Sequence, residues 1–167
     1  MIYRSVWKAI EQNLSVRFAA LGVKDMMMPL LIPAALIAQE KQHIAGFSPE
    51  LFTITHKGDQ ATSEFYWQEG HTVHATSEEA FNFARSMINE YSDFAQKLLC
   101  LPLIIGEKTP GERFAGADNS FTIESLMQDG QALQCGTSHY LGQKFANAYG
   151  TKFTDANNQK VTPYQSS

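Results

Sequence analysis

The chain has 167 residues, 44 % apolar and 18 % charged, the size and balance of one globular domain with its own core. This excludes a disordered tail, a disulfide knot and a membrane span. Seventeen acids against thirteen bases leave a formal charge of −4, so there is no overall basic footprint of the kind that drives sequence-independent nucleic-acid binding.

From Ser5 to Leu21, Trp7, Ile10, Leu14, Phe18 and Leu21 recur every three or four positions. The spacing predicts an amphipathic helix, with Ser5 as cap and Gly22 as stop. Arg4, Lys8 and Glu11 interrupt this stretch before any targeting h-region, and a cytoplasmic protein is expected. Val23 to Met28 reads as a buried strand ended by Pro29, and Pro33 suits the first turn of a helix toward His43. The apolar run Met26 to Ala38 covers 13 residues with two prolines, too short to cross about 30 Å of hydrocarbon. Leu51 to His56 alternates as a strand would, and Lys57-Gly58-Asp59 is turn chemistry.

Thr76 with Glu79 is a capping-box signature, and the apolar stripe from Ala80 to Leu98 predicts the most secure helix. Leu101 to Ile105 is a short apolar run, followed by a polar loop from Glu107 to Arg113. Thr122 to Met127 and Gln131 to Cys135 read as strands around Asp129-Gly130, a hairpin signal. Leu141 to Tyr149 resembles a helix closed by Gly150. Thr151 to Thr154 and Val161 to Tyr164 are candidate strands around an Asn157-Asn158 turn. Hairpin-joined strands with helices between groups imply an α+β domain, an antiparallel β-sheet flanked by helices. Cys100 and Cys135 form no C-x-x-C pair, so two semi-buried thiols in a reducing cytosol are expected, with no cysteine-based zinc site.

Three clusters carry chemical potential. Trp67-Gln68-Glu69-Gly70-His71-Thr72-Val73-His74 joins an aromatic, a carboxylate and two imidazoles. On an extended backbone Glu69, His71 and Val73 share a face while His74 points away, and the spacing matches no zinc motif. A solvated turn feeding the Thr76 cap is the bland alternative. Cys135-Gly136-Thr137-Ser138-His139 reads as a loop after a strand and before a helix, where small residues and free N–H groups would receive an anion. Adjacent Ser138 and His139 make a poor nucleophile pair, and no G-x-S-x-G elbow is present. Arg113-Phe114-Ala115-Gly116-Ala117-Asp118 mixes a cation, a carboxylate and small residues in a loop. No P-loop or G-x-G-x-x-G occurs.

The motifs W-Q-E-G-H-T-x-H-A-T, R-F-A-G-A-D and Q-x-G-T-S-H-x-L-G-Q, in this order, resemble the catalytic domain of archaeal- and eukaryotic-type proline–tRNA ligase, a class II aminoacyl-tRNA synthetase. The resemblance runs from near Trp7 through Gly22-Val23-Lys24-Asp25 and Glu40 to Glu50, and on to Tyr164-Gln165, so that residues 1–167 read as one partial catalytic domain. It implies ATP-dependent activation of L-proline, with Mg²⁺, and transfer to tRNA-Pro. It places Thr62, Glu64, Trp67, Glu69, His71 and His139 at the proline, and Gln134 and Thr137 at ATP. It also places Met28-Pro29 at a motif 1 homodimer interface. No metal-ligating or catalytic side chain is assigned.

Two departures accompany the match. Glu64 and Trp67 stand three positions apart where the family has several dozen residues, including the motif 2 arginine. Thr62-Ser63-Glu64 is then either the family's T-x-E motif or an altered T-R-E-F, in which case Glu64 is not the proline-binding acid. Pro163-Tyr164-Gln165-Ser166-Ser167 resembles the lead-in to motif 3 without its arginine, and no anticodon-binding domain is present. Both departures imply a weak or inactive ligase, or else a non-catalytic paralog that binds proline or an adenylate, or pairs with a full-length subunit.

Overall fold

The computed structural model describes residues 2–27 and 67–167. The expectations at Met28-Pro29, Pro33 to His43, Leu51 to Asp59, Thr62 and Glu64 lie outside the described residues.

Helix α1 spans Ile2–Ala20. It begins before Ser5, which therefore sits inside the helix and does not cap it. Its end follows the sequence: Gly22 takes a left-handed φ of 81°, Gly22 N–H donates to Ala19 O and Val23 N–H donates to Phe18 O, both at 3.0 Å. That pair of bonds is the Schellman motif, which needs a residue without Cβ strain at this position. Residues 23–27 join no ladder, so the strand expected there is not formed within them. Val23 instead packs on the Phe18 cluster.

Strand β1 is Thr72–His74 and helix α2 is Ser77–Leu98. Thr76 accepts from Glu79 N–H while the Glu79 carboxylate accepts from Thr76 N–H, the reciprocal box expected. Ala84, Ile88, Phe94 and Ala95 line the buried stripe of α2. Arg17 of α1 bridges Glu90 at 3.2 Å and Asp93 at 2.9 Å, tying α1 across α2.

The remaining elements are β2 (Ile104–Glu107), β3 (Asn119–Leu126), β4 (Ala132–Gly142), α3 (Lys144–Ala148), β5 (Phe153–Thr154), β6 (Lys160–Val161) and β7 (Tyr164–Ser166). Five strands form an antiparallel sheet in the order β1-β7-β4-β3-β2, and β5 pairs with β6. Asp129-Gly130 closes the β3–β4 hairpin, with Gly130 at φ 82°, and Asn158 at φ 61° turns β5 into β6.

Three more expectations change. β4 runs through Gly142 and does not stop at Cys135, because Gly136 to Tyr140 pair with β3. The helix expected over Leu141 to Tyr149 shrinks accordingly to five residues. Both cysteines are exposed, not semi-buried.

The sheet lies against α2 on one side, and α1 packs on α2 through Leu14 and Phe18. Phe121 and Tyr140 meet Phe81 of α2 edge to face at 5.6 and 5.9 Å, an arrangement aromatic rings favour. Ile88 and Ile123 close this core.

Candidate functional site

β3 alternates: Phe121 and Ile123 face the helices, so Ser120, Thr122 and Glu124 face the opposite way. Their partners on β4 are His139, Thr137 and Gln134, and cross-strand partners share a face. Gln134 and Thr137 are an odd number of residues apart and would lie on opposite faces of a regular strand. They share one because the register shifts at Ile123/Glu124, leaving Cys135 as the extra residue of a β-bulge that re-aims Gln134. The segment read from sequence as an anion-binding loop at a helix N-terminus is thus mid-strand, and that reading fails because residues 136–139 pair with β3 and no helix begins before Lys144.

The 67–71 segment approaches the same face. Gln68 turns toward the helices, where Tyr91 Oη donates to its side-chain carbonyl at 2.5 Å. Alternation then turns Glu69 and His71 to the other side, and they pair at 3.3 Å. The His71 hydrogen bond holds the Glu69 carboxyl below the ordinary carboxylate range against the opposing effect of burial. His74 faces the helices, packed 5.2 Å from Phe83, so it points away as expected.

His139 Nδ1 lies 2.8 Å from the hydroxyl of Ser120, which is fully buried, and its ring lies against Phe114. Burial, with the Lys108 ammonium nearby, depresses its pKa to about 4 against the opposing pull of Glu69. The imidazole is therefore neutral at pH 7. Ser138 is buried on the helix side, so it and His139 do not form a nucleophile pair.

A cavity of about 450 Å³ opens between the 67–70 segment and β4, lined by Trp67, Glu69, Gln134 and Thr137 on the polar side and by Leu14 and Phe94 on the apolar side. Of the expected residues, the structure gathers Trp67, Glu69, Gln134 and Thr137 at this cavity, with His71 and His139 beside Glu69. Sequence reading missed Lys108, whose ammonium donates to Gln134 Oε1, and the polar row Ser120, Thr122 and Glu124. The alternation Ser-Phe-Thr-Ile-Glu over residues 120–124 was the available signal for that row.

Arg113, a candidate cation, is committed elsewhere. It donates to Asp118 O at 2.6 Å and to Glu107 at 3.1 Å. Among the described residues no group of three or more His, Cys, Asp or Glu gathers to hold a metal. No described helix is long and apolar enough to cross a membrane.

No protein-family model matches the chain. It is similar to proline–tRNA ligase of Mycoplasma mobile, 37 % identical over 213 residues, covering 97 % of this chain and 45 % of that protein. It is also similar to that of Ureaplasma parvum, 38 % identical over 214 residues, covering 98 % and 45 %. The chain thus spans less than half the length of the curated relatives it matches. Because 97 % of 167 residues is about 162, about 51 of the 213 aligned positions hold no residue of this chain.

Among solved structures, prolyl-tRNA synthetase from Cryptosporidium parvum with L-proline and AMP matches with TM-score 0.54 at 36 % identity, covering 57 % of this chain and 20 % of that chain. The same organism's synthetase with halofuginone and AMPPNP matches with TM-score 0.79 at 23 % identity, covering 96 % and 42 %. The fold is that of part of a class II synthetase catalytic domain.

Proposed function

We propose that residues 1–167 are one partial catalytic domain of a proline–tRNA ligase of the archaeal and eukaryotic type, which holds proline and a nucleotide on the polar sheet face but turns over poorly alone. The observation that carries this reading is the convergence of Glu69, His71, Thr137, Gln134 and His139 on one face, in a chain similar to proline–tRNA ligases over nearly all its length. In the reaction proposed, a proline carboxylate oxygen attacks the α-phosphorus of ATP, the bond to the bridging oxygen breaks, and pyrophosphate leaves. A 3′-terminal ribose hydroxyl of tRNA-Pro then attacks the prolyl carbonyl carbon, the acyl–phosphate bond breaks, and AMP leaves.

Ionised Glu69 accepts a charge-assisted hydrogen bond from the proline ammonium, neutral His139 stands beside it without adding a competing cation, and the Trp67 indole walls the ring. Thr62, and Glu64 where it is the T-x-E acid, complete the proline subsite in this proposal. The face fits a nucleotide in its donors: Gln134 and Thr137 offer amide and hydroxyl groups, and Lys108 an ammonium for phosphate. Thr122 and Glu124 add hard oxygens of the kind Mg²⁺ takes, alongside the nucleotide's own phosphates. Mg²⁺ would supply charge neutralisation at the phosphates. A cytoplasmic location and a homodimer through Met28-Pro29 belong to the same reading.

Poor turnover rests on charge. Lys108 is the described cation set against this face, and Arg113 is engaged elsewhere. Each missing donor to the transition state costs roughly 10²-fold or more. About 51 aligned positions lack a counterpart here, and we place them between Glu64 and Trp67.

Proline-dependent ATP–pyrophosphate exchange by the purified chain tests this. Exchange no greater than that of a Glu69→Ala, His139→Ala double variant is expected, together with a melting temperature raised by proline plus a non-hydrolysable prolyl-adenylate analogue. Exchange well above the control sinks the claim of poor turnover. An unchanged melting temperature sinks the site assignment.

A further inference from the structure

The Arg113–Asp118 segment, a cluster of mixed charge in the sequence, forms a fixed loop against His139. Gly116 turns it at φ 92°, Ala117 N–H donates to Phe114 O at 2.9 Å, and Asp118 N–H donates to Tyr140 O at 2.8 Å. Arg113 braces it, donating to Asp118 O at 2.6 Å and to Lys108 O at 3.4 Å. Held in this way, Phe114 lays its ring against the His139 imidazole, with centroids 5.0 Å apart, and stacks on Phe145. The backbone N–H of Phe114 donates to Ser120 Oγ at 3.2 Å.

Ser120 Oγ thus has two partners, that N–H and His139 Nδ1 at 2.8 Å. A hydroxyl carries one donor and two acceptor lone pairs. The Phe114 N–H takes one lone pair, which leaves two arrangements at Nδ1. In one, the Ser120 O–H donates to an unprotonated Nδ1. In the other, a protonated Nδ1 donates to the second lone pair, and the Ser120 hydrogen is left without an acceptor in a wholly buried residue. Stranding a buried donor is disfavoured by roughly tenfold or more, so the first arrangement prevails.

We propose that Ser120 is a positioning residue which, oriented by the Phe114 amide, fixes His139 in its Nε2–H form and so presents the ligand with a neutral group that only donates. Nε2 has no hydrogen-bond partner among the described residues, which leaves its N–H for a bound molecule. Burial and Lys108 keep the ring neutral, and the O–H on Nδ1 opposes protonation in the same direction. The consequence for the ligand rests on the ligase reading: the proline ammonium, itself a donor, belongs at Glu69, and His139 meets an acceptor oxygen.

Long-range 1H–15N correlation of the imidazole nitrogens in the full chain at pH 7 reads the tautomer directly. His139 is expected with Nε2 protonated and Nδ1 bare, in an excess of roughly tenfold or more over the reverse form. Ser120→Ala should reduce that excess severalfold and move the Nδ1 resonance as its hydrogen bond is lost. Ser120→Thr, which keeps the hydroxyl, should preserve both. His74, whose Nε2 lies 2.8 Å from Thr72 Oγ1, should keep its signals in each variant and reports an intact fold. The non-hydrolysable prolyl-adenylate analogue should bind Ser120→Ala roughly tenfold more weakly than the parent or Ser120→Thr.

A protonated Nδ1 in the parent overturns the proposal, and that result needs no variant to fold. A tautomer ratio or an affinity unchanged in Ser120→Ala overturns it equally, as does a loss of the same size in Ser120→Thr. If the parent binds no analogue, the ligase reading fails alone, because the tautomer is read without ligand and still decides the role of Ser120.

Discussion

Lowering the pH isolates one buried group at the centre of the candidate site. His139 has its pKa lowered from 6.5 to about 4 in the folded chain, first by burial and then by Lys108. Below pH 6.5 the unfolded chain takes up a proton that the folded chain refuses, so stability is complete above pH 6.5 and is lost as pH falls toward 4. At 1.36 kcal/mol per unit the full gap sets a ceiling of roughly 3 kcal/mol, and the imidazole's partial solvent access reduces what is realised. Between pH 7 and pH 5 the expected loss is about 1–2 kcal/mol.

Urea unfolding at pH 7, 6 and 5 measures it, with His139→Gln as the reference. His74 is also lowered by burial and contributes equally to both proteins. The depressed carboxyls Glu69 and Asp93 lose their stabilisation only as pH falls below their ordinary values of 4.5 and 3.8, beneath this range. The parent should lose more stability than the variant over this interval, and an NMR titration should leave the His139 imidazole neutral at pH 5. Parallel losses in the two proteins, or titration of His139 near 6.5, would refute both the burial argument and the neutral imidazole assigned to the site.

Three further substitutions test the scaffold. Gly142 has φ 59°, and a Cβ there would overlap the Asp118 carboxylate, which holds Lys144 at 2.6 Å. Gly142→Ala should cost about 2 kcal/mol, read as a lower Tm, and an unchanged Tm would mean the turn relaxes freely. Thr76→Ala removes the capping box of α2 and should cost about 1 kcal/mol, or about 2–4 °C in Tm for a chain of this size. Tyr91→Phe strands the Gln68 side-chain carbonyl and should cost about 1–2 kcal/mol, while the double change with Gln68→Leu should recover part of it because no acceptor is left unpaired. Additive losses in that cycle would show that the 2.5 Å contact does not anchor the segment bearing Glu69.

What could be read from sequence divides by the range of the interaction. The Thr76–Glu79 box, the Gly22 stop and the Asp129-Gly130 turn are each decided within a few residues, and each formed as written. β4 was cut short because Gly136-Thr137-Ser138 has loop composition, and strand propensity yields to pairing with β3, which no local rule contains. The same cause hid the geometry of the site. A strand's period of two separates Gln134 from Thr137 and His139. A single extra residue, Cys135, set against the Ile123/Glu124 step of β3, reunites them. That bulge is a property of two strands held in register, so the candidate residues were legible from their motifs while the face they share was not. It also follows that a substitution disturbing the β3–β4 register near Ile123 would separate Gln134 from Thr137 without touching either.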